Sequence, residues 1–114
     1  MDILQQCQKW HENDEYQKII DALEAIPAQE RTPEEDSELA RACNNLADPG
    51  KPDYSELLRK AIALLEPHAE YFAGEHFWNF RMGYSYYYLD QEGIALGYFE
   101  KALEARPDDE DTKE

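Results

Sequence analysis

The chain has 114 residues, of which 42% are apolar, 12% aromatic and 32% charged, and its formal net charge is −15. This is the length of one domain, with enough apolar residues for a small core beneath a polar surface. The charge excludes nucleic acid and anionic membranes as general partners, because phosphate groups would be repelled, and it would attract a basic protein or peptide. The alternative is that the charge only keeps the domain in solution.

The cysteines and the start of the chain indicate the cellular compartment of the protein. Cys7 and Cys43 are isolated thiols without a CxxC pair, so they do not indicate a disulfide framework. Polar residues follow Met1 at once, unlike a signal peptide, and no apolar stretch approaches the ~20 residues of a membrane helix. We therefore expect a cytoplasmic protein in which both thiols pack as small apolar side chains.

The hydrophobic pattern is helical throughout, and no segment alternates like a strand. The first helix is predicted over 3–11. The second is predicted over 15–26, where Asn13 or Asp14 is the expected N-cap and Pro27 the stop signal.

Prolines and capping residues delimit the middle of the chain. Thr32 and Glu35 have the spacing of a capping box, with a proline between them in the first helical turn, so a third helix is expected from here to about residue 47. Loop 48–52 contains two prolines and a glycine, which exclude helix. Asp53 is then expected to cap a fourth helix, which breaks near Pro67.

The last two helices are predicted over 74–89 and 91–105, and an acidic tail follows at 108–114. Three prolines, at 27, 67 and 107, are 40 residues apart, and each is expected to close the second helix of a pair. A fixed period between ~20 and ~50 residues indicates stacked helical hairpins.

The third helix pair carries the residues of a known repeat. In chain order they are Met82, Gly83, Tyr86, Ala95, Phe99, Ala102 and Pro107. They resemble the tetratricopeptide (TPR) signature of Leu-Gly, Tyr, Ala, Phe, Ala and Pro, with every spacing kept. Asn79 stands at the usual Trp position, with Trp78 one residue earlier, and the first two pairs match more weakly.

The resemblance implies an all-α fold, a right-handed α-α superhelix of three antiparallel helix pairs, six helices in all. The repeats lie at about 1–27, 33–67 and 74–107. HEAT-type repeats, whose period is also ~40 residues, are the alternative fold.

The same resemblance places a close helix–helix contact in the third pair. The two helices of the hairpin are expected to touch at Gly83 and Ala95, where small residues let the backbones approach. Tyr86 and Phe99 are expected to fill the space beside that contact.

In a TPR stack the first helix of each pair lines a concave groove. On the fifth helix this face carries five aromatic residues and an arginine, namely Phe77, Phe80, Arg81, Tyr84, Tyr87 and Tyr88. On the third helix it includes Arg41, Asn44 and Asn45. Tyr and Arg are common in binding hot spots, and Asn can pair with a peptide backbone. The resemblance implies an adaptor or scaffold module that binds a peptide or protein segment; alternatively, some of the aromatic residues pack only on neighbouring helices.

The sequence contains no catalytic, metal-ligand or nucleotide-binding motif, and its three histidines are scattered, so neither enzymatic activity nor a cofactor or metal is expected. One TPR subclass clamps C-terminal carboxylates of chaperones with Lys, Asn and Arg. Arg81 stands where one clamp arginine would, but the matching lysines and asparagines are not found, so this subclass is not expected.

The sixth helix carries a second candidate interaction surface. Its apolar residues are Ala95, Leu96, Phe99, Leu103 and Ala105, and only the charged tail follows them. Helical arrays usually end in a polar capping helix. The alternative function is therefore self-association through this helix, as a homo-oligomer, or packing within a longer TPR protein from which this chain is a fragment.

Overall fold

The computed structural model describes residues 1–106, and all regular secondary structure in this range is helical. The six helices are α1 Ile3–Glu12, α2 Tyr16–Glu24, α3 Pro33–Leu46, α4 Tyr54–Leu65, α5 His76–Tyr88 and α6 Glu92–Ala105. Short 3-10 turns follow α2 at Ala28–Glu30 and α4 at Glu66–His68. The predicted all-α class and the order of six helices are confirmed. None of these helices has the length and apolar character needed to cross a bilayer.

The capping box at Thr32 is confirmed, Asp53 stands at the predicted N-cap position of α4, and the predicted N-cap of α2 is wrong. The Glu35 N–H donates to Thr32 Oγ1 at 3.1 Å, and the Thr32 N–H donates to Glu35 Oε1 at 2.8 Å, which completes the capping box of α3. Asp53 makes no side-chain cap on α4. Nor does α2 have a side-chain cap, because Glu15 occupies its N-cap position and Asp14 instead accepts a hydrogen bond from the Tyr16 hydroxyl.

The three prolines do not play identical roles. Pro27 follows α2, which ends two residues earlier than predicted because the residue before a proline disfavours helical geometry. Pro67 does not end the helical geometry of the second pair, because it lies inside the 3-10 turn that continues α4. Pro107 and the acidic tail lie outside the described residues.

The first and third helix pairs are closed by the same turn. In the α1–α2 turn the Glu15 N–H donates to Trp10 O at 2.8 Å, and Asp14 has a positive φ of 57°. In the α5–α6 turn the Gln91 N–H donates to Tyr86 O at 2.9 Å, and Asp90 has a φ of 63°. A bond closing six residues beside one left-handed residue is the Schellman arrangement, and Asp tolerates that conformation better than most residues.

The helices pack in a regular order. Each consecutive pair is in contact, and in addition α3 contacts α1 and α5 contacts α3. Thus α3 lies against both helices of the first pair, and α5 lies against both helices of the second. The buried side chains between them include Cys7, Ile19, Leu23, Leu39, Cys43, Ala61, Leu65, Trp78 and Met82. The prediction that both cysteines are buried as apolar residues is confirmed.

Candidate functional site

Four side-chain hydrogen bonds fix the start of α5, the helix that carries most of the predicted site. The Glu75 carboxylate accepts from the N–H groups of Phe77 at 3.0 Å and Trp78 at 2.8 Å, as expected of an N-cap anion. The Trp78 indole N–H donates to Leu65 O on α4 at 2.9 Å. His76 Nδ1 donates to Ala102 O on α6 at 2.8 Å. The position of α5 is therefore fixed against both neighbouring helices.

The contact between α5 and α6 is closest at Gly83. A Cβ atom at this position would lie 2.7 Å from Cδ1 and Cε1 of the Phe99 ring. The expectation of a close approach at Gly83 is correct, and the atoms nearest to this position are those of the Phe99 ring, which was predicted to fill the space beside the contact. Any larger residue at position 83 would displace that ring.

Five aromatic rings on α5 and α6 form one connected cluster, which we call the aromatic surface: Phe80, Tyr84, Tyr87, Tyr88 and Phe99. Successive ring centroids around it are 6.3 Å apart for Phe80–Tyr84, 4.8 Å for Tyr84–Tyr88, 5.1 Å for Tyr87–Tyr88, 6.4 Å for Tyr87–Phe99 and 5.7 Å for Phe80–Phe99. These distances are typical of interacting aromatic pairs. Tyr87 is 47% exposed and Tyr88 44%, and the other three rings are half-buried.

Arg81 is separated from this cluster and turned toward α3. Its guanidinium is buried, donates to Ser37 Oγ at 2.6 Å and lies 3.5 Å from Glu38 Oε1. It also lies over the Phe77 ring, 5.6 Å from the centroid. Phe77 and Arg81 thus form part of the α3–α5 contact, so the predicted stripe on α5 is divided between two faces.

The three predicted residues of α3 have different environments. Asn44 is 3% exposed; its Nδ2 donates to Arg81 O at 3.2 Å and its Oδ1 accepts from the Ser85 hydroxyl at 2.7 Å. Both ends of this amide make hydrogen bonds within the fold, and the pairing of Asn44 with a ligand backbone stays a prediction. Arg41 and Asn45 are half-buried, and Arg41 lies 3.5 Å from Glu38 Oε2.

Glu38 is the centre of the charge network between α1, α3 and α5. Burial by itself raises the pKa of this carboxyl, but His11 at 3.4 Å together with Arg81 and Arg41 outweighs burial and lowers the pKa to about 2. Glu38 is therefore ionised at neutral pH and holds the three helices together. Sequence reasoning missed this network, because His11 and Arg81 lie far from Glu38 in the chain and only Arg41 is within one helical turn of it.

The two leucines of α6 that the sequence singled out are exposed. Leu96 is 57% and Leu103 54% accessible. A crevice of about 280 Å³ lies beside Leu96 and is lined by Tyr87, Glu92, Ala95, Leu96 and Phe99. The α5 stripe and the α6 face, which the sequence presented as two separate surfaces, are joined through Tyr87 and Phe99 into one.

Residues 1–106 contain no group of three or more His, Cys, Asp or Glu side chains arranged to hold a metal ion. Burial raises the pKa of both the Cys7 and the Cys43 thiol to about 11, so both remain protonated at neutral pH. Comparison of the chain with protein-family models, with curated proteins and with solved structures gave no match.

Proposed function

We propose that the chain is a TPR-like helical-repeat domain that binds a segment of another protein through the aromatic surface. The observation that carries this proposal is the cluster of five touching rings, two of them nearly half exposed, beside the exposed leucines of α6. Large contiguous apolar surface of this kind on a soluble domain marks interaction sites. Aromatic residues are also enriched where partners bind.

Two structural features support the TPR-like assignment. Each helix packs on the next one, and the first helix of a pair also packs on the first helix of the preceding pair, as stacked hairpins require. The helices of the first and third pairs are joined by matching turns, at Asp14 and Asp90. The two unpaired thiols agree with the expected cytoplasmic setting.

The proposal is tested by affinity capture from extracts of the source cell, with the double variant Tyr87→Ser, Tyr88→Ser as the probe. The matched control is Tyr71→Ser, which removes an exposed tyrosine from the turn before α5. Proteins captured by the wild-type chain and the control, but lost with the double variant, are the expected result. Circular dichroism must show that both variants fold. Identical sets of captured proteins for all three chains would contradict the proposal.

The exposure of Leu96 and Leu103 favours a second candidate function, self-association through α6. Sedimentation equilibrium over a wide concentration range tests it, and a strict monomer excludes it. A net charge of −15 on each copy opposes this candidate, because the two surfaces would repel each other at moderate ionic strength.

A further inference from the structure

The packing of the chain on itself shows what fits between the two helices of a pair. Helix α3 lies against α1 and α2, and α5 lies against α3 and α4. The α5–α6 pair has a corresponding site for a further helix, the crevice lined by Tyr87, Leu96 and Phe99. Within the described residues no helix occupies it. The fold thus contains two internal examples of a helix lying against a helix pair, and a third pair whose apolar side chains are exposed.

The walls of this crevice favour a helical over an extended occupant. Helices α5 and α6 form both walls, so the backbone N–H and C=O groups along the crevice are used within each helix, except in the first turn of α6 at Glu92. An extended peptide therefore finds few main-chain partners there, whereas a helix satisfies its own backbone groups.

The charges around the crevice define the chemistry of the occupant. Glu92 lines it, and on α6 the neighbours of Leu96 four residues away on either side are Glu92 and Glu100. The basic residues in and just after α6 lie over aromatic rings outside the crevice. Lys101 lies over the Tyr98 ring, 5.8 Å from its centroid, and Arg106 lies over the Phe77 ring, 4.7 Å from its centroid. The exposed leucine is therefore bordered by negative charge.

We infer that the crevice binds an amphipathic helix of another protein, with aliphatic residues on its inner face and Lys or Arg along its edges. This inference rests on the proposed function and specifies its partner. A second copy of the chain does not meet the requirement, because it would bring the same glutamates and a further net charge of −15 to the interface.

The test is a selection of random peptides of about 16 residues, long enough to match α6 when helical, displayed on phage against the full chain. The enriched peptides are expected to carry apolar residues at i, i+3, i+4 and i+7 with flanking Lys or Arg. The same peptides, made synthetically, are expected to gain helical circular dichroism on binding. Their affinity is expected to fall several-fold between about 50 and about 300 mM salt.

Two variants on α6 give a matched comparison. Leu96→Ser is expected to weaken binding of the selected peptides roughly tenfold or more, as for a residue at the centre of an interface. Ile94→Ser is the control: Ile94 is 47% exposed, close to the 57% of Leu96, but it lies on the opposite side of the helix. It is expected to leave the affinity unchanged.

The inference is overturned if the selection yields no binders, if the enriched peptides lack helical periodicity, or if Leu96→Ser and Ile94→Ser act alike. A dimer in sedimentation that Leu96→Ser abolishes would also overturn it, in favour of a second copy. If capture from extracts depends on Tyr87 and Tyr88 while the selected peptides are not helical, the proposed function stands and only the helical partner is wrong. If capture is also independent of these tyrosines, both proposals fail.

Discussion

Replacing Gly83 by alanine probes the closest contact in the third helix pair. The new methyl group would lie 2.7 Å from two carbons of the Phe99 ring, against an ordinary carbon–carbon separation of ~3.5–4.0 Å. The ring cannot withdraw freely, because Phe80 and Tyr87 pack beside it at centroid distances of 5.7 and 6.4 Å. Forcing an extra carbon into such a site costs about 1–3 kcal/mol.

A second glycine isolates this cost from the general effect of alanine on helices. Gly97 lies in the interior of α6, is exposed, and a Cβ there would meet no atom within 4 Å. Replacing either glycine by alanine gains about 1 kcal/mol of helix propensity. That gain is common to both variants, so Gly97→Ala should be stabilising and Gly83→Ala should be about 1–3 kcal/mol less stable than Gly97→Ala.

Urea unfolding followed by far-UV circular dichroism measures both free energies of unfolding. Introducing Phe99→Ala, which removes the ring carbons that the methyl group meets, should reduce the penalty of Gly83→Ala in a double-mutant cycle. Equal stabilisation by the two alanines, or a penalty at Gly83 that persists in the Phe99→Ala background, would refute the close contact described here.

Three further predictions concern stability, each read from urea unfolding. The pKa of Glu38 falls from an ordinary 4.5 to about 2 in the folded chain, so its contribution to the free energy of unfolding is present above pH 4.5 and is lost as the pH falls toward 2. This acid-dependent loss is on the order of 3 kcal/mol by the conversion of pKa to free energy, and it should be absent from Glu38→Gln. Asn44→Ala should cost about 1–3 kcal/mol because it leaves buried partners unpaired. The buried Nδ2 of the adjacent Asn45 has no hydrogen-bond partner in residues 1–106, so Asn45→Ala should change stability by less than about 0.5 kcal/mol. Equal losses would contradict the hydrogen bonds of Asn44 to Arg81 O and Ser85. Thr32→Ala should cost about 1 kcal/mol and Asp53→Ala should cost almost nothing, since of these two residues only Thr32 makes a side-chain cap. A loss at Asp53 as large as at Thr32 would be inconsistent with these caps.

The sequence by itself determined the features that depend on neighbouring residues. The order of six helices and the capping box at Thr32 and Glu35 follow from apolar spacing and turn chemistry within a few positions of the chain. The need for a small residue at Gly83 was also visible, because the spacing of the third pair is that of a known hairpin. Neither Asp14 nor Asp53 makes the predicted side-chain cap, since a capping residue type forms the bond only where the turn directs its side chain to the helix end.

Only the tertiary structure decided which side of each helix is free. Spacing alone placed Arg81 on the same stripe as Tyr87, but α3 supplies Ser37 and Glu38 as partners and draws the guanidinium into the interior. Phe99 is predicted from the sequence both beside the Gly83 contact and on the apolar face of α6, but only the packed structure shows that it joins this face to the tyrosines of α5. The physical reason is that helical periodicity defines faces, whereas the residues that cover or extend a face come from distant parts of the chain.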